Sequence, residues 1–143
     1  MQLRKVGLVI ALVAAGCLDA TREEPVSGNI GTTTSPADVV LTIGHEVRVD
    51  SLLRVGFMSV AADSRCPTTV VCVWSGDGAA EIAYGIGEGP SYPDTLHTTL
   101  EPRSVRFDGY AITLLDLMPY PYSPGTIPPD EYVIRLRVER LQR

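Results

Sequence analysis

The clearest pattern in the sequence lies near its C-terminus, in the stretch Glu131-Tyr132-Val133-Ile134-Arg135-Leu136-Arg137-Val138-Glu139. Apolar side chains recur at every second position, and charged side chains fill most of the positions between them. Residues two apart share a face of an extended strand, so this stretch has one apolar and one charged face. An α-helix would scatter the same residues around its circumference. The stretch therefore predicts a strand with one buried face.

Six further segments show the same alternation. They cover residues 39–43, 47–49, 82–86, 96–100, 105–107 and 110–118. In the last of them the apolar face changes between Leu114 and Leu115, which predicts a β-bulge near Leu114. Turn signals separate the segments at residues 44–45, 50–51, 75–78, 87–90, 101–102 and 108–109. Asp108-Gly109 is of the type that favours a two-residue β-hairpin.

Residues 39–143 are predicted to form one all-β domain. About eight short strands separated by regular turn signals are typical of a single antiparallel β-sandwich. An Ig-like sandwich and a small barrel are the two alternatives for its architecture. No segment after residue 17 has a helical period, so no helix is expected beyond the signal peptide.

The first sixteen residues have the layout of a signal peptide. Arg4 and Lys5 form a short positive region, and residues 6–15 are apolar. A helix of that length is too short for a bilayer core of about 30 Å. The segment ends in a stretch that resembles the lipobox of bacterial lipoproteins, Val13-Ala14-Ala15-Gly16-Cys17. The resemblance implies removal of residues 1–16 and a lipid on Cys17, and an ordinary secretory signal is the alternative.

Residues 17–38 are predicted to be a lipidated, flexible tether. They are rich in Thr, Ser, Gly, Pro and Glu, and their apolar residues show no period. A coil of about 20 residues has a root-mean-square reach of roughly 25 Å. Leu18 stands where an aspartate would resemble an inner-membrane retention signal, which favours the outer membrane of a diderm bacterium. The expected location is the cell envelope, with the membrane reached through the lipid on Cys17.

The charge of the chain argues against nucleic acid as a partner. Removing residues 1–16 takes away two of the twelve basic residues and none of the seventeen acids, so ten basic residues remain against seventeen acidic ones. A chain this acidic, with no basic cluster, lacks the electrostatic attraction that nucleic acids and anionic lipids require. Anchoring is therefore expected to depend on the lipid.

Cys66 and Cys72 are the two cysteines that remain when Cys17 carries the lipid. An exported domain is in an oxidising setting, so the pair is predicted to form a disulfide. Six residues of extended strand would separate the two Cα atoms by about 20 Å. A disulfide needs them within about 7 Å, so Pro67-Thr68-Thr69 must turn the chain back. Two unpaired thiols are the alternative.

Two segments carry candidate binding residues. The first surrounds the cysteines and contains Asp63, Arg65, Trp74 and Asp77, since exposed Trp and Arg are frequent anchors of interfaces. A structural role is the alternative, with Asp63 in an Asx-turn, Arg65 in an ion pair and Trp74 in the core.

The second segment is Pro119-Tyr120-Pro121-Tyr122-Ser123-Pro124, which continues to Pro128-Pro129. Because proline cannot donate to a β-ladder, it predicts an extended loop. Tyr120 and Tyr122 on that loop would either meet a partner or pack across the end of the sandwich.

No catalytic constellation stands out. His97 would share a strand face with Thr95 and Thr99, opposite Leu96 and Leu100, and is predicted to be exposed to solvent. A Ser-His-Asp triad is therefore not indicated. The two cysteines and two histidines lack metal-ligand spacing, so neither a metal nor a cofactor is expected. The protein is not expected to be an enzyme.

The motif Asp63-Ser64-Arg65-Cys66-Pro67, followed by Cys72-Val73-Trp74-Ser75-Gly76, resembles a set of uncharacterised bacterial envelope lipoproteins. The resemblance implies a secreted β-domain with a disulfide loop and carries no known activity. Ser75-Gly76 is also similar to a loop of the lipoprotein inhibitors of lysozyme, although the tyrosine and the lysine expected there are absent. The expected role is a binding or structural module of the envelope with a protein partner. An inhibitor of an extracellular hydrolase is the alternative, followed by an enzyme with an unrecognised site.

Overall fold

A computed structural model describes residues 36–142 of the chain. The predicted signal peptide, Cys17 and the tether up to residue 35 lie outside the described residues. Regular structure consists of eight β-strands and one turn of 3-10 helix, Pro129–Glu131. The strands are β1 (Ala37–Thr42), β2 (Glu46–Arg48), β3 (Leu53–Asp63), β4 (Gly78–Ile86), β5 (Tyr92–His97), β6 (Ser104–Phe107), β7 (Tyr110–Met118) and β8 (Val133–Arg140). Between residues 36 and 142, no helix has the length and apolar character to cross a bilayer.

The strands form two separate four-stranded sheets in which every pairing is antiparallel. One sheet has the order β1-β8-β7-β6, and the other has the order β2-β3-β4-β5. Side chains from both sheets meet in one core that includes Phe57, Ile82, Ile112 and Leu136, each with an exposed fraction of zero. Full burial of such a side chain stabilises the fold by about 1.5–3 kcal/mol. The predicted all-β domain is confirmed, and it is a sandwich.

Strand β8 has the alternation that its sequence predicts. Tyr132, Ile134, Leu136 and Val138 are buried, and the charged residues between them are exposed. Strand β8 lies in the interior of its sheet, between β1 and β7. The pattern is therefore clean because β8 is an interior strand with one face on the core and one face in solvent.

The bulge and the hairpin in the second half of the chain are also confirmed. Leu114 pairs with Leu136 and Asp116 pairs with Arg135, so Leu115 is the extra residue on β7. Asp108 and Gly109 join β6 to β7 with φ angles of 46° and 82°. Both angles lie in the left-handed region, as a two-residue hairpin requires.

The longest strand, β3, was not predicted as a strand. Its register against β4 shifts twice, between Phe57 and Ser59 and between Val60 and Ala62. Each shift changes which face a side chain points to, so the period of two is lost over the eleven residues of β3.

Two details of the sequence interpretation are wrong. Leu100 is exposed, because β5 ends at His97 and the chain turns away from the core. Residues 75–78 do not form a turn. Their backbone continues the β3–β4 pairing, with Cys66 N donating to Ser75 O at 2.8 Å and Ser64 N donating to Asp77 O at 2.7 Å.

Candidate binding surface

Two loops meet at one end of the sandwich, where β3 and β7 finish. The disulfide loop comprises residues 66–76, the proline-rich loop comprises residues 119–129, and together we call them the tip. The backbone N–H groups of Thr68 and Thr69 donate to the carbonyls of Pro121 and Tyr122, each at 3.1 Å. The Thr68 hydroxyl donates to the Tyr122 carbonyl at 3.2 Å. These bonds bind the two loops into a single surface.

The disulfide loop is closed by the bond predicted from the cysteine count. Cys66 and Cys72 are joined, with their Cα atoms 6.0 Å apart. The chain turns back at the predicted place, since Val70 N donates to Pro67 O at 3.2 Å. A closed loop with internal bonds loses little further conformational entropy on binding, which makes it a suitable platform for recognition.

Below the tip lies a buried ion pair formed by Asp63 and Arg65. The Asp63 carboxylate accepts hydrogen bonds from Arg65 Nε at 2.8 Å and Arg65 Nη2 at 2.6 Å. It also accepts one from the Tyr132 hydroxyl at 2.9 Å. Arg65 further donates to the carbonyls of Leu117 and Pro119. Arg65 is only 6% exposed, so its charge belongs to the interior of the molecule.

The pKa values in this cluster follow from its bonds. Burial alone would raise the pKa of Asp63, but the hydrogen bonds from Arg65 and Tyr132 outweigh it, so the pKa lies below its ordinary value. Burial, together with the hydrogen bond to Asp63, raises the pKa of Tyr132 to about 12. The carboxylate is therefore charged and the phenol neutral at physiological pH.

Asp77 is also buried, and it organises the loop after β5. Its Oδ1 atom accepts hydrogen bonds from Thr99 N at 2.9 Å and Leu100 N at 3.3 Å. Its Oδ2 atom lies 2.6 Å from His97 Nδ1. The prediction that His97 is exposed to solvent is therefore wrong, since the ring is half-buried against Asp77. Burial raises the pKa of Asp77, but these bonds lower it by more, so the pKa is well below its ordinary value.

The remaining candidate residues, by contrast, are exposed on the tip. Trp74 is 72% exposed, Tyr122 is 76% exposed and Tyr120 is 51% exposed. Val71 and Val73 beside Trp74 are fully exposed. Neither loop of the tip contains an acidic, basic or histidine residue, although 20% of the chain is charged. Residues that are apolar, aromatic and uncharged therefore face solvent together.

The geometry assigns a structural task to most residues of the motif. The Ser64 hydroxyl lies 3.1 Å from both the N and the O atoms of Asp77. Gly76 has a φ of +70°, and a Cβ atom there would lie 1.8 Å from Ser64 O. Only glycine fits that contact. Trp74 is different, because it is neither in the core nor part of the loop closure.

Tyr120 connects the exposed surface to the buried ion pair. The Arg65 guanidinium carbon lies 5.2 Å from the centre of the Tyr120 ring, within the range of a cation–π contact. Half of the tyrosine side chain remains in solvent. The ion pair therefore supports the tip from below without being part of its outer face.

The six candidate residues separate into two groups that sequence reasoning did not distinguish. Asp63, Arg65 and Asp77 are interior, whereas Trp74, Tyr120 and Tyr122 are on the surface. The exposed Val71 and Val73 were missed. Their only sequence signal was their position, since Val71 lies inside the short ring closed by the disulfide and Val73 directly follows it.

No cluster of three His, Cys, Asp or Glu side chains suited to a metal ion occurs in residues 36–142. Comparison with known protein families, curated proteins and solved structures gives no significant match.

Proposed function

We propose that the protein is a lipid-anchored protein of the bacterial cell envelope that binds another envelope protein through its tip. The observation that carries this proposal is the exposure of Val71 within the ring closed by the Cys66–Cys72 disulfide and of Val73 and Trp74 directly after it, in a loop without charges. Depletion of charge and enrichment in Trp and Tyr are typical of the centre of protein interfaces. Exposed apolar patches on soluble domains mark interaction sites.

The position of the tip supports a partner away from the anchor. Ala37 pairs with Val138 and Thr42 pairs with Val133, so the chain enters β1 at the end opposite the tip. Six residues of strand rise about 20 Å. A lipid on Cys17 would therefore be connected to the far end of the sandwich, which leaves the tip free to meet an envelope protein.

We propose that the protein acts by binding, and that its buried charged side chains stabilise the fold. Asp63 and Arg65 bond to each other, Arg65 also bonds to backbone carbonyls, and Asp77 bonds to His97 and to backbone N–H groups, which supports a structural role for these charges. Inhibition of an extracellular hydrolase is the second candidate. The disulfide-closed protruding loop favours it, because a rigid loop is what an inhibitor presents to an enzyme cleft.

The anchor is tested with Cys17→Ser. The proposal expects that the variant is released from the membrane fraction or accumulates as uncleaved precursor, and that labelled palmitate enters the wild type alone. Processing and membrane retention equal to wild type would contradict the anchor.

The binding surface is tested with Trp74→Ala in the anchored protein. Loss of an interface anchor of this kind costs about 2 kcal/mol or more, so the amount of the partner that co-purifies should fall about 30-fold. Val40→Ala is the matched control, since Val40 is 60% exposed on β1 and belongs to neither loop of the tip. Equal recovery from both variants would contradict the proposed surface. Loss of activity of a single co-purified hydrolase on binding would instead favour the inhibitor.

A further inference from the structure

A cavity of about 340 Å³ opens beside the tip, between the end of β3 and the proline-rich loop. Its walls combine the apolar side chains of Ile43, Val60, Pro67, Pro121, Ile127 and Pro129 with the hydroxyl side chains of Ser59 and Thr126. Pro67 and Pro121 directly precede Thr68 and Tyr122, whose bonds join the two loops of the tip. The cavity and the exposed surface therefore share a wall.

The floor of the cavity is polar but offers no free charge. It is formed by Asp63, Arg65 and Tyr132. Four hydrogen bonds reach the Asp63 carboxylate, two at each oxygen, from Arg65 N, Nε and Nη2 and from the Tyr132 hydroxyl. A carboxylate accepts about four hydrogen bonds, so this group is saturated.

The saturated floor decides which chemistry the cavity accepts. A charged ligand would lose its hydration and would meet no ionised group without a partner, since Asp63 and Arg65 already pair with each other, and burying an unpaired charge is strongly unfavourable. An uncharged apolar group has no comparable hydration free energy to lose, and it gains contact with the apolar side chains of the walls. The volume is at the lower end of the range for ligand pockets, about 300–1,000 Å³, and exceeds the roughly 150 Å³ that holds one benzene molecule, so it has room for an aromatic ring with its substituents.

We infer that the cavity binds one uncharged apolar group of about that size. The group comes either from an apolar side chain of the partner or from a free small molecule, and the first source rests on the proposed function. In the first case the partner places one side chain in the cavity while its surface covers Trp74.

The binding test uses three probes of one shape and different charge: benzyl alcohol, benzoate and benzylammonium. Titration of the folded domain is followed by the methyl NMR signals of Ile43, Val60 and Ile127. Benzyl alcohol should shift these signals saturably, with a dissociation constant of about 1 mM. Both charged probes should bind at least about tenfold more weakly. Benzylammonium is the stricter control, because the acidic chain attracts cations. Equal binding of all three probes, or no saturable shift with benzyl alcohol, would overturn the inference.

Location is tested by filling the cavity. Thr126→Trp at its exposed mouth and Val60→Phe in its wall should each abolish the shifts, and Val40→Phe on β1 should leave them unchanged. Two filling variants keep the test valid if one fails to fold. Binding that survives in a folded filling variant would overturn the inference.

The source of the group is tested by competition. Excess benzyl alcohol should reduce partner recovery by the anchored wild type if a partner side chain occupies the cavity. Saturable probe binding without competition would keep the cavity as a ligand site and assign it to a free small molecule. Failure to recover any partner would count against the proposed function alone, because the NMR titration does not depend on a partner.

Discussion

At the scale of single residues, the buried ion pair distinguishes residues that hold the fold from residues that are free to bind. Arg65 was a candidate for the surface because arginine is common in interfaces. Its actual partners are Asp63 and the carbonyls of Leu117 and Pro119. Two of these three lie more than fifty positions away in the sequence, so no local pattern could have revealed the burial. The pairing of Asp77 with the loop after β5 was hidden for the same reason.

The ion pair predicts a large effect of Arg65→Met on stability. Removing the guanidinium leaves the Asp63 carboxylate buried without its counter-ion, which lowers the free energy of unfolding by about 3–5 kcal/mol. Arg106→Met on the exposed face of β6 is the control, with a change within about 0.5 kcal/mol. Urea denaturation of both variants measures the difference. A loss below about 1 kcal/mol for Arg65→Met would show that the pair is not structural.

The lowered pKa values of Asp63 and Asp77 predict acid sensitivity. In the unfolded chain these carboxyls have the ordinary pKa of 3.8, and in the folded chain their pKa values lie below it. The unfolded state therefore binds more protons as the pH falls below about 5, so stability is present above the unfolded pKa and is lost at lower pH. Urea midpoints between about pH 7 and pH 2 should be constant at first and then fall through the region of pH 4. Asp77→Asn should have a shallower acid decline, and an unchanged decline would contradict the role of Asp77.

At the scale of elements, the sequence predicted what depends on neighbouring positions in the chain. The alternation of β8, the hairpin at Asp108-Gly109 and the bulge at Leu115 each follow from a few adjacent residues. The long β3 did not, because its two register shifts are set by how it pairs with β4. The same holds for the cavity, whose lining comes from three separate stretches of the chain, at residues 43, 59–67 and 121–132.

Two glycines with positive φ, Gly76 in the disulfide loop and Gly109 in the β6–β7 hairpin, are predicted to differ in how much an alanine costs in stability. Gly109 has φ +82° and open space around it, so Gly109→Ala costs only the backbone strain of about 1–2 kcal/mol. Gly76 has φ +70° and meets Ser64 O, so Gly76→Ala adds an overpacking cost of about 1–3 kcal/mol. Thermal unfolding of the two variants compares them directly. Equal losses of stability would mean that the contact between Gly76 and Ser64 does not hold the loop.

At the scale of the whole molecule, the two ends of the sandwich differ. One end receives the chain at Ala37, and the other carries an uncharged surface that contains Trp74 and Tyr122. The disulfide and the buried ion pair both lie at the second end, where they support exposed apolar residues that contribute little to the core. This arrangement is expected of a domain that is held at one end and binds at the other.

Site-specific photo-crosslinking in living cells tests that account most directly. A photoreactive amino acid is placed at position 74 of the full-length protein, and in a parallel strain at position 40 on β1. Both positions are exposed, so both proteins should fold and reach the envelope alike. The account predicts a discrete crosslinked protein from position 74 that is absent from position 40. The same crosslinked product from both positions, or from position 40 alone, would contradict a binding surface at the tip.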